Sequence, residues 1–238
     1  MVQNNITENL NSWNKLERYS RWIYHMYAKH IGKNVLDVGG GIGTAISFYI
    51  QNVERVISTE LFDNQVDIMN KRFSKIPYFK AIKADITKDD FSEYAPFDTI
   101  ILVNVLEHIE DDIQLLINIK GLLTDNGKII ICVPATNRLY CYMDKNVGHY
   151  RRYNKGELRI KAEKAGLDVI ENKYMNFMGI LPYWIKGKLK RGGSGSFSTN
   201  MNEGESKLYS IATLLLEPIE RVVNPPVGIS EFIIMSKP

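Results

Sequence analysis

The stretch Val35-Leu36-Asp37-Val38-Gly39-Gly40-Gly41-Ile42-Gly43 decides the fold. Aliphatic residues broken by one acid, then glycines at 39, 40, 41 and 43, describe a buried strand that stops in a tight turn. Residues 43–50 then read as a helix, so the unit is strand, glycine turn, helix. In an open α/β sheet such a turn lies at the carboxyl end of the strand, where ligands bind. A dinucleotide-binding turn needs glycines at i, i+2 and i+5. Counted from Gly39 the last of these falls on Thr44, and from Gly41 on Ile46, so that pattern fails.

Outward from the turn, short apolar runs alternate with helical spacing. Residues 35–38, 55–59, 78–84, 97–103 and 128–133 read as buried strands. Residues 63–73 and 110–123 read as helices between them. In the second, Ile109, Ile113, Leu116, Ile119 and Leu123 form one stripe, and Gly127 supplies the expected helix exit. Strands alternating with helices predict a doubly wound α/β sheet, mostly parallel. A helix near 155–165 and strands near 167–174 and 229–235 bring the sheet to seven strands. Ahead of it, 11–30 is a helical stretch dense in aromatics, among them Trp13, Tyr19, Trp22, Tyr24 and Tyr27.

The bulk properties bound the function without choosing it. The 238 residues are 45% hydrophobic, enough for one substantial core. A net charge of +3 gives no general argument for nucleic acid. Cys132 and Cys141 form no metal-ligand spacing and no disulfide framework, which fits a reducing compartment. Residues 1–10 lack the basic start and apolar stretch of a secretory signal, and no apolar run approaches the ~20 residues of a membrane span. The expected location is cytoplasmic.

With Asp37 two residues ahead of Gly39, and Gly41 and Gly43 following, the turn resembles the Asp-x-Gly-x-Gly-x-Gly motif of class I S-adenosylmethionine-dependent methyltransferases. The resemblance implies a Rossmann-like methyltransferase fold as one domain over 1–238. Its parts are an N-terminal helical cap at 1–32, a core at 33–175, an insertion or lid at 176–227 and the last strand at 228–238. It also implies S-adenosyl-L-methionine as cofactor and S-adenosyl-L-homocysteine as product. In such a site Asp37 would sit near the cationic methionine end. Glu60 would accept both ribose hydroxyls, with Leu61 beside it, and Asp85 and Ile86 would hold and cover the adenine. Tyr19, Asn104 and Leu106 complete the cofactor set.

Two further elements are similar to family patterns. Leu106-Glu107-His108 resembles the LEH signature of bacterial small-molecule methyltransferases. Gly148-His149-Tyr150-Arg151-Arg152-Tyr153 is similar to a GHYRRY element after the fifth strand in antibiotic, glycan and peptide pathways. Arg151 and Arg152 beside Tyr150 offer a bidentate grip on an anion, the alternative being a solvated basic loop. His108 or His149 could deprotonate a hydroxyl acceptor. No metal is expected, because adjacent residues such as Glu107 and His108 seldom converge on one ion.

The expectation that results is O-methylation of an anionic, carboxylate-bearing small molecule or peptide in a biosynthetic pathway. The alternatives are a sugar, lipid-linked or quinone-type hydroxyl acceptor, or a noncatalytic binding module; an RNA substrate is poorly supported by the charge. The aromatic N-terminal helix and the insertion read as lids. Within the insertion, 181–191 is amphipathic, with Lys186, Lys188, Lys190 and Arg191 beside Tyr183 and Trp184, and offers a weak membrane contact. Residues 192–196 are Gly/Ser linker, and 206–222 a helical pattern.

Overall fold

The computed structural model describes residues 17–189 and 203–238. The linker at 192–196, Lys190, Arg191 and Trp13 lie outside the described residues. Seven strands form one sheet in the order β3-β2-β1-β4-β5-β7-β6. They are β1 Asn34–Val38, β2 Arg55–Glu60, β3 Phe79–Lys83, β4 Phe97–Val103, β5 Leu123–Pro134, β6 Asp168–Met175 and β7 Ser230–Ser236. The first five run parallel, and β7 is antiparallel to both β5 and β6. This is the mostly parallel, doubly wound arrangement expected, with the chain reversing at β1 between β2 and β4.

The helices are α1 Glu17–Tyr27, α2 Ile46–Tyr49, α3 Asp63–Arg72, α4 Asp112–Lys120, α5 Tyr142–Asn146, α6 Glu157–Lys164, α7 Ile180–Leu189 and α8 Glu203–Val222. They cover both faces because alternate residues of the central strands point to opposite sides. Leu36, Ile100 and Leu102 pack with Leu115, Leu116 and Ile119 of α4 and Leu158 and Ala162 of α6. Val35, Val56 and Ile101 pack on the other face with Trp22 and Tyr27 of α1, Ile46 and Tyr49 of α2, and Met69 of α3.

Several sequence expectations shift here. Helix α4 ends at Lys120, and Leu123 begins β5, where it pairs with Phe97. The strand then bulges before Lys128 pairs with Thr99. Gly127 therefore sits inside a strand and caps no helix. A Cβ there would meet Leu123 Cβ at 2.9 Å and the Phe97 carbonyl at 3.0 Å, so close approach explains the glycine. The helix expected over 43–50 is shorter, and a 3-10 turn, Ile50–Asn52, completes it. Residues 142–146, to which the sequence reading gave no element, form α5. Strand β3, read as buried, alternates in exposure because it is the sheet's edge.

Helices α1 and α8 lie against the core and one another. Tyr27 stacks on Phe232 of β7, with ring centroids 6.3 Å apart. His25 Nδ1 lies 2.6 Å from Glu217 Oε1 and ties α1 to α8. Glu220 of α8 accepts from the backbone amides of Asn176 (2.6 Å) and Phe177 (3.0 Å), anchoring the helix at the carboxyl edge of β6. No helix among the described residues is long and apolar enough to cross a membrane.

Candidate active site

At the carboxyl ends of β1, β2 and β4 lies one cavity of about 960 Å³. Its floor is the glycine turn. Gly39, Gly41 and Gly43 have φ of +67°, +62° and +79°, where a side chain is strained. The Gly39 and Gly40 amides both donate to the Thr59 carbonyl, at 2.9 and 3.2 Å, and fold the turn against β2. A Cβ on Gly39 would stand 2.6 Å from Val105 Cγ2, and one on Gly40 would strike Ser58 Oγ. Gly43 is tight for another reason: its missing Cβ would meet the Phe73 ring at 2.5 Å, so it serves packing and does not line the cavity.

Glu60 borders the cavity from the end of β2. Oε1 accepts from the Gly41 amide at 2.7 Å and Oε2 from the Leu61 amide at 3.0 Å. Gln65 was not anticipated from sequence. Its amide nitrogen, in the orientation that satisfies both groups, donates to the two Glu60 oxygens at 3.0 and 3.1 Å. Burial raises the Glu60 carboxyl above its ordinary range, and the two backbone bonds oppose the rise. These contacts fill the carboxylate's lone-pair sites, so a further donor would take the place of the Gln65 amide.

Asp37 stands behind the turn, buried, and does not line the cavity. The Tyr49 hydroxyl donates to its Oδ2 at 2.6 Å. Burial pushes its pKa up to about 7 against that bond, with the charge of Glu60 adding to the rise. Asp85 and Ile86 border the cavity from the end of β3, although Lys88 (2.7 Å) and Thr87 (2.6 Å) already occupy the Asp85 carboxylate. Asn104 lines it in a left-handed conformation, φ +56°, its amide held by the Cys132 carbonyl. Leu106 is core and faces away. Tyr19 lines the wall, 3.2 Å from Ser230 Oγ, and burial pushes its phenol up to about 12.

The same cavity is bordered by a polar cluster. A 3-10 turn, Leu106–His108, presents Glu107 and His108, and the returning loop brings His149 onto them. The two imidazoles meet edge to face, centroids 4.7 Å apart. His149 Nε2 is 3.7 Å from Glu107 Oε1, and Nδ1 is 3.0 Å from Asp144 Oδ1. Glu107 is fully buried, and neither carboxylate oxygen has a hydrogen-bond partner among the described residues. Burial pushes its pKa up to about 7, opposed mainly by His149. Burial first, then His149, drives His108 down to about 4, so it is neutral at ordinary pH.

Asp144, like Gln65, was missed in the sequence reading, since it lies in a segment to which that reading gave no element. It accepts from His149, from Arg152 Nε at 2.8 Å, from the Tyr183 hydroxyl at 2.9 Å and from the Cys141 amide at 2.9 Å. Burial would raise its carboxyl, but His149, Arg152 and the Cys141 amide outweigh that and hold it below the usual range. Its signal was faint: a carboxylate three residues after Cys141, the spacing that returns a side chain to a helix-start amide.

The paired arginines separate. Arg151 points away from the cavity, donating to Asp112 at 3.0 Å and the Glu110 carbonyl at 2.7 Å. Arg152 does line it, buried, yet donates to Asp144 and the Ala135 carbonyl and lies 4.2 Å over the Tyr183 ring. Tyr150 borders the cavity and is exposed. Of the insertion's cations, Lys186 pairs with Glu205 at 2.8 Å.

Residues 13–172 match the methyltransferase domain family, and the chain belongs to it. It is an enzyme of the class I, S-adenosylmethionine-dependent superfamily. A SAM-dependent methyltransferase from Archaeoglobus fulgidus has a similar fold, at TM-score 0.58 and 17% identity, covering 90% of this chain and 91% of that one. Coclaurine N-methyltransferase bound to N-methylheliamine and SAH gives TM-score 0.62 at 13% identity, covering 92% and 72%. The [4+2]-cyclase SpnF gives 0.61 at 13% identity, covering 93% and 80%, so a likeness of fold leaves the chemistry open. No curated protein matches by sequence.

Proposed function

We propose that the chain transfers a methyl group from S-adenosylmethionine to a hydroxyl oxygen of a small molecule seated beside Glu107, His108 and His149. One observation carries this reading: the glycine turn with Glu60 and the Glu107–His108–His149 cluster border the same cavity. The donor fits the glycine turn, where Gly39 and Gly40 lack the Cβ that would close it and where a diol would take the Gln65 amide's place on Glu60. Gly39, Gly41, Glu60, Leu61, Asp85, Ile86, Asn104 and Tyr19 would hold it, while Asp37, Gly43 and Leu106 support these residues from behind. When bound, S-adenosylmethionine supplies a methyl group on a positively charged sulfur.

The residues' remaining task is to align the acceptor oxygen, exclude water and manage its proton. Tyr183 and Tyr209, brought by α7 and α8, cover the cavity. The polar cluster is the place where a hydroxyl can lose its proton. An anionic acceptor is a second reading, supported by Arg152 alone, which borders the cavity and whose hydrogen bonds to Asp144 and the Ala135 carbonyl use Nε and Nη1. Arg151 is committed elsewhere, so a two-arginine clamp is not part of either reading.

The test has two stages. Calorimetry with S-adenosylmethionine should show binding at one site; absence of binding ends the methyltransferase reading of this cavity. Methylation of paired alcohol, phenol and carboxylic-acid acceptors should then favour the hydroxyl members. Turnover confined to carboxylates would favour the second reading.

A further inference from the structure

Glu107 and His108 do converge, against the argument from adjacency, and His149 joins them from a separate loop. One ligand-capable atom from each lies within 4.8 Å of the others. We propose that this cluster binds a divalent first-row transition ion.

Three observations point the same way. Glu107 is fully buried and neither oxygen has a hydrogen-bond partner among the described residues, His149 Nε2 standing 3.7 Å from Oε1, so the ionised carboxylate has room for a cation bound directly. Each imidazole is already held by its other nitrogen: His149 Nδ1 by Asp144 Oδ1 at 3.0 Å, His108 Nδ1 by the Gly148 carbonyl at 3.2 Å. With the proton on Nδ1, each ring carries its lone pair on Nε2, which is how metal-bound histidines are oriented by their outer partners. The third is spacing. Bonds of about 2.1 Å to a tetrahedral ion put ligand atoms about 3.4 Å apart. The 3.7 Å between His149 Nε2 and Glu107 Oε1 is close to that, and a ligand atom of His108 lies within 4.8 Å of both residues'.

Two imidazoles and one carboxylate suit Zn²⁺, Co²⁺ or Fe²⁺ and not Mg²⁺ or Ca²⁺, which prefer oxygen ligands. Arg152, paired with Asp144, offers no ligand atom to the ion, and its charge favours the ionised form of Glu107. Three protein ligands on a cavity wall leave a position open, and on the proposed function the acceptor's oxygen would take it. The site itself requires no methyl donor, so it stands or falls apart from that reading.

The experiment uses the full chain, treated with chelator and titrated with Zn²⁺ by calorimetry and with Co²⁺ by visible absorption. One ion per chain is expected, unaffected by millimolar Mg²⁺. Glu107→Gln and His108→Gln should each weaken it at least tenfold, and Asp144→Asn by about tenfold through His149. Thermal unfolding of each variant checks its fold, and Glu107→Gln, which changes no volume, decides if the others unfold. No stoichiometric binding, or binding that survives both Glu107→Gln and His108→Gln, overturns the site. A parallel S-adenosylmethionine titration tells a failed metal site from a failed methyltransferase.

Discussion

The Asp144 carboxylate lies 3.0 Å from His149 Nδ1, and the same oxygen accepts from Arg152 Nε at 2.8 Å. One buried acid thus orients the imidazole and neutralises the guanidinium. Asp144→Ala leaves Arg152 buried without its counter-charge and should cost about 3–5 kcal/mol in chemical denaturation. Asp144→Asn keeps the volume and one acceptor oxygen. It should reduce turnover at least tenfold while S-adenosylmethionine affinity changes less than about twofold, because Asp144 does not border the donor wall. Equal losses in both would mean that the network holds the whole cavity and not His149 alone.

The donor wall makes a contrasting demand. Gly39→Ala combines a positive φ with a Cβ 2.6 Å from Val105 and should weaken S-adenosylmethionine binding at least tenfold. Gly156→Ala is the control, since its φ is +83° but no atom lies within 4 Å of the added Cβ. It should cost about 1 kcal/mol of stability and leave binding intact. Glu60→Ala should weaken binding by about 1–3 kcal/mol, the range for losing bonds to a charged acceptor. Calorimetry on the three variants checks all of this, and unchanged affinity in Gly39→Ala would place the donor elsewhere.

Arg151 and Arg152 look equivalent in sequence and are not. Arg151→Ala should leave turnover within about threefold of wild type, its partly exposed pair with Asp112 affecting mainly the packing of α6, where Lys161 also bonds Asp112. Arg152→Lys keeps a charge near Asp144 but loses the plane stacked on Tyr183, and should lower both stability and turnover. Kinetics on the pair decide the matter: a large loss in Arg151→Ala would restore the anion clamp.

How much of this was legible follows from the kind of force involved. The strands, the glycine turn and the strand-end residues Glu60, Asp85 and Asn104 were readable because burial and backbone sterics act locally. The end of α4 was misplaced because Leu123 fits a helical stripe equally well; its pairing with Phe97, a tertiary contact, decides. Asp37 was expected near the cofactor's methionine end; that it lies buried behind the turn, with the hydroxyl of Tyr49, twelve residues on, at its Oδ2, depends on a tertiary contact. Asp144 and the split of the two arginines depend on a loop closing over His149, which no period in the sequence encodes.

Asp37 should also leave a mark on the pH dependence of folding. Its carboxyl titrates at about 7 in the fold, where burial is the main cause, against 3.8 in an unfolded chain. Between those values the folded state holds more protons than the unfolded one, so this group's contribution falls as pH rises. The stability it lends is complete below about pH 4, is lost through the folded pKa and levels off above it. Asp37→Asn removes the titration while keeping an oxygen for the Tyr49 hydroxyl, which donates at 2.6 Å. Near pH 4 the variant and wild type should unfold at similar denaturant concentration. Near pH 8 the variant should be the more stable, by on the order of 2–4 kcal/mol given a shift of about three pH units. The measurement is the difference in unfolding free energy at each pH, which cancels the other titrating groups. A difference that stays flat across that range would show that Asp37 is ionised in the fold, held so by Tyr49 and the surrounding backbone.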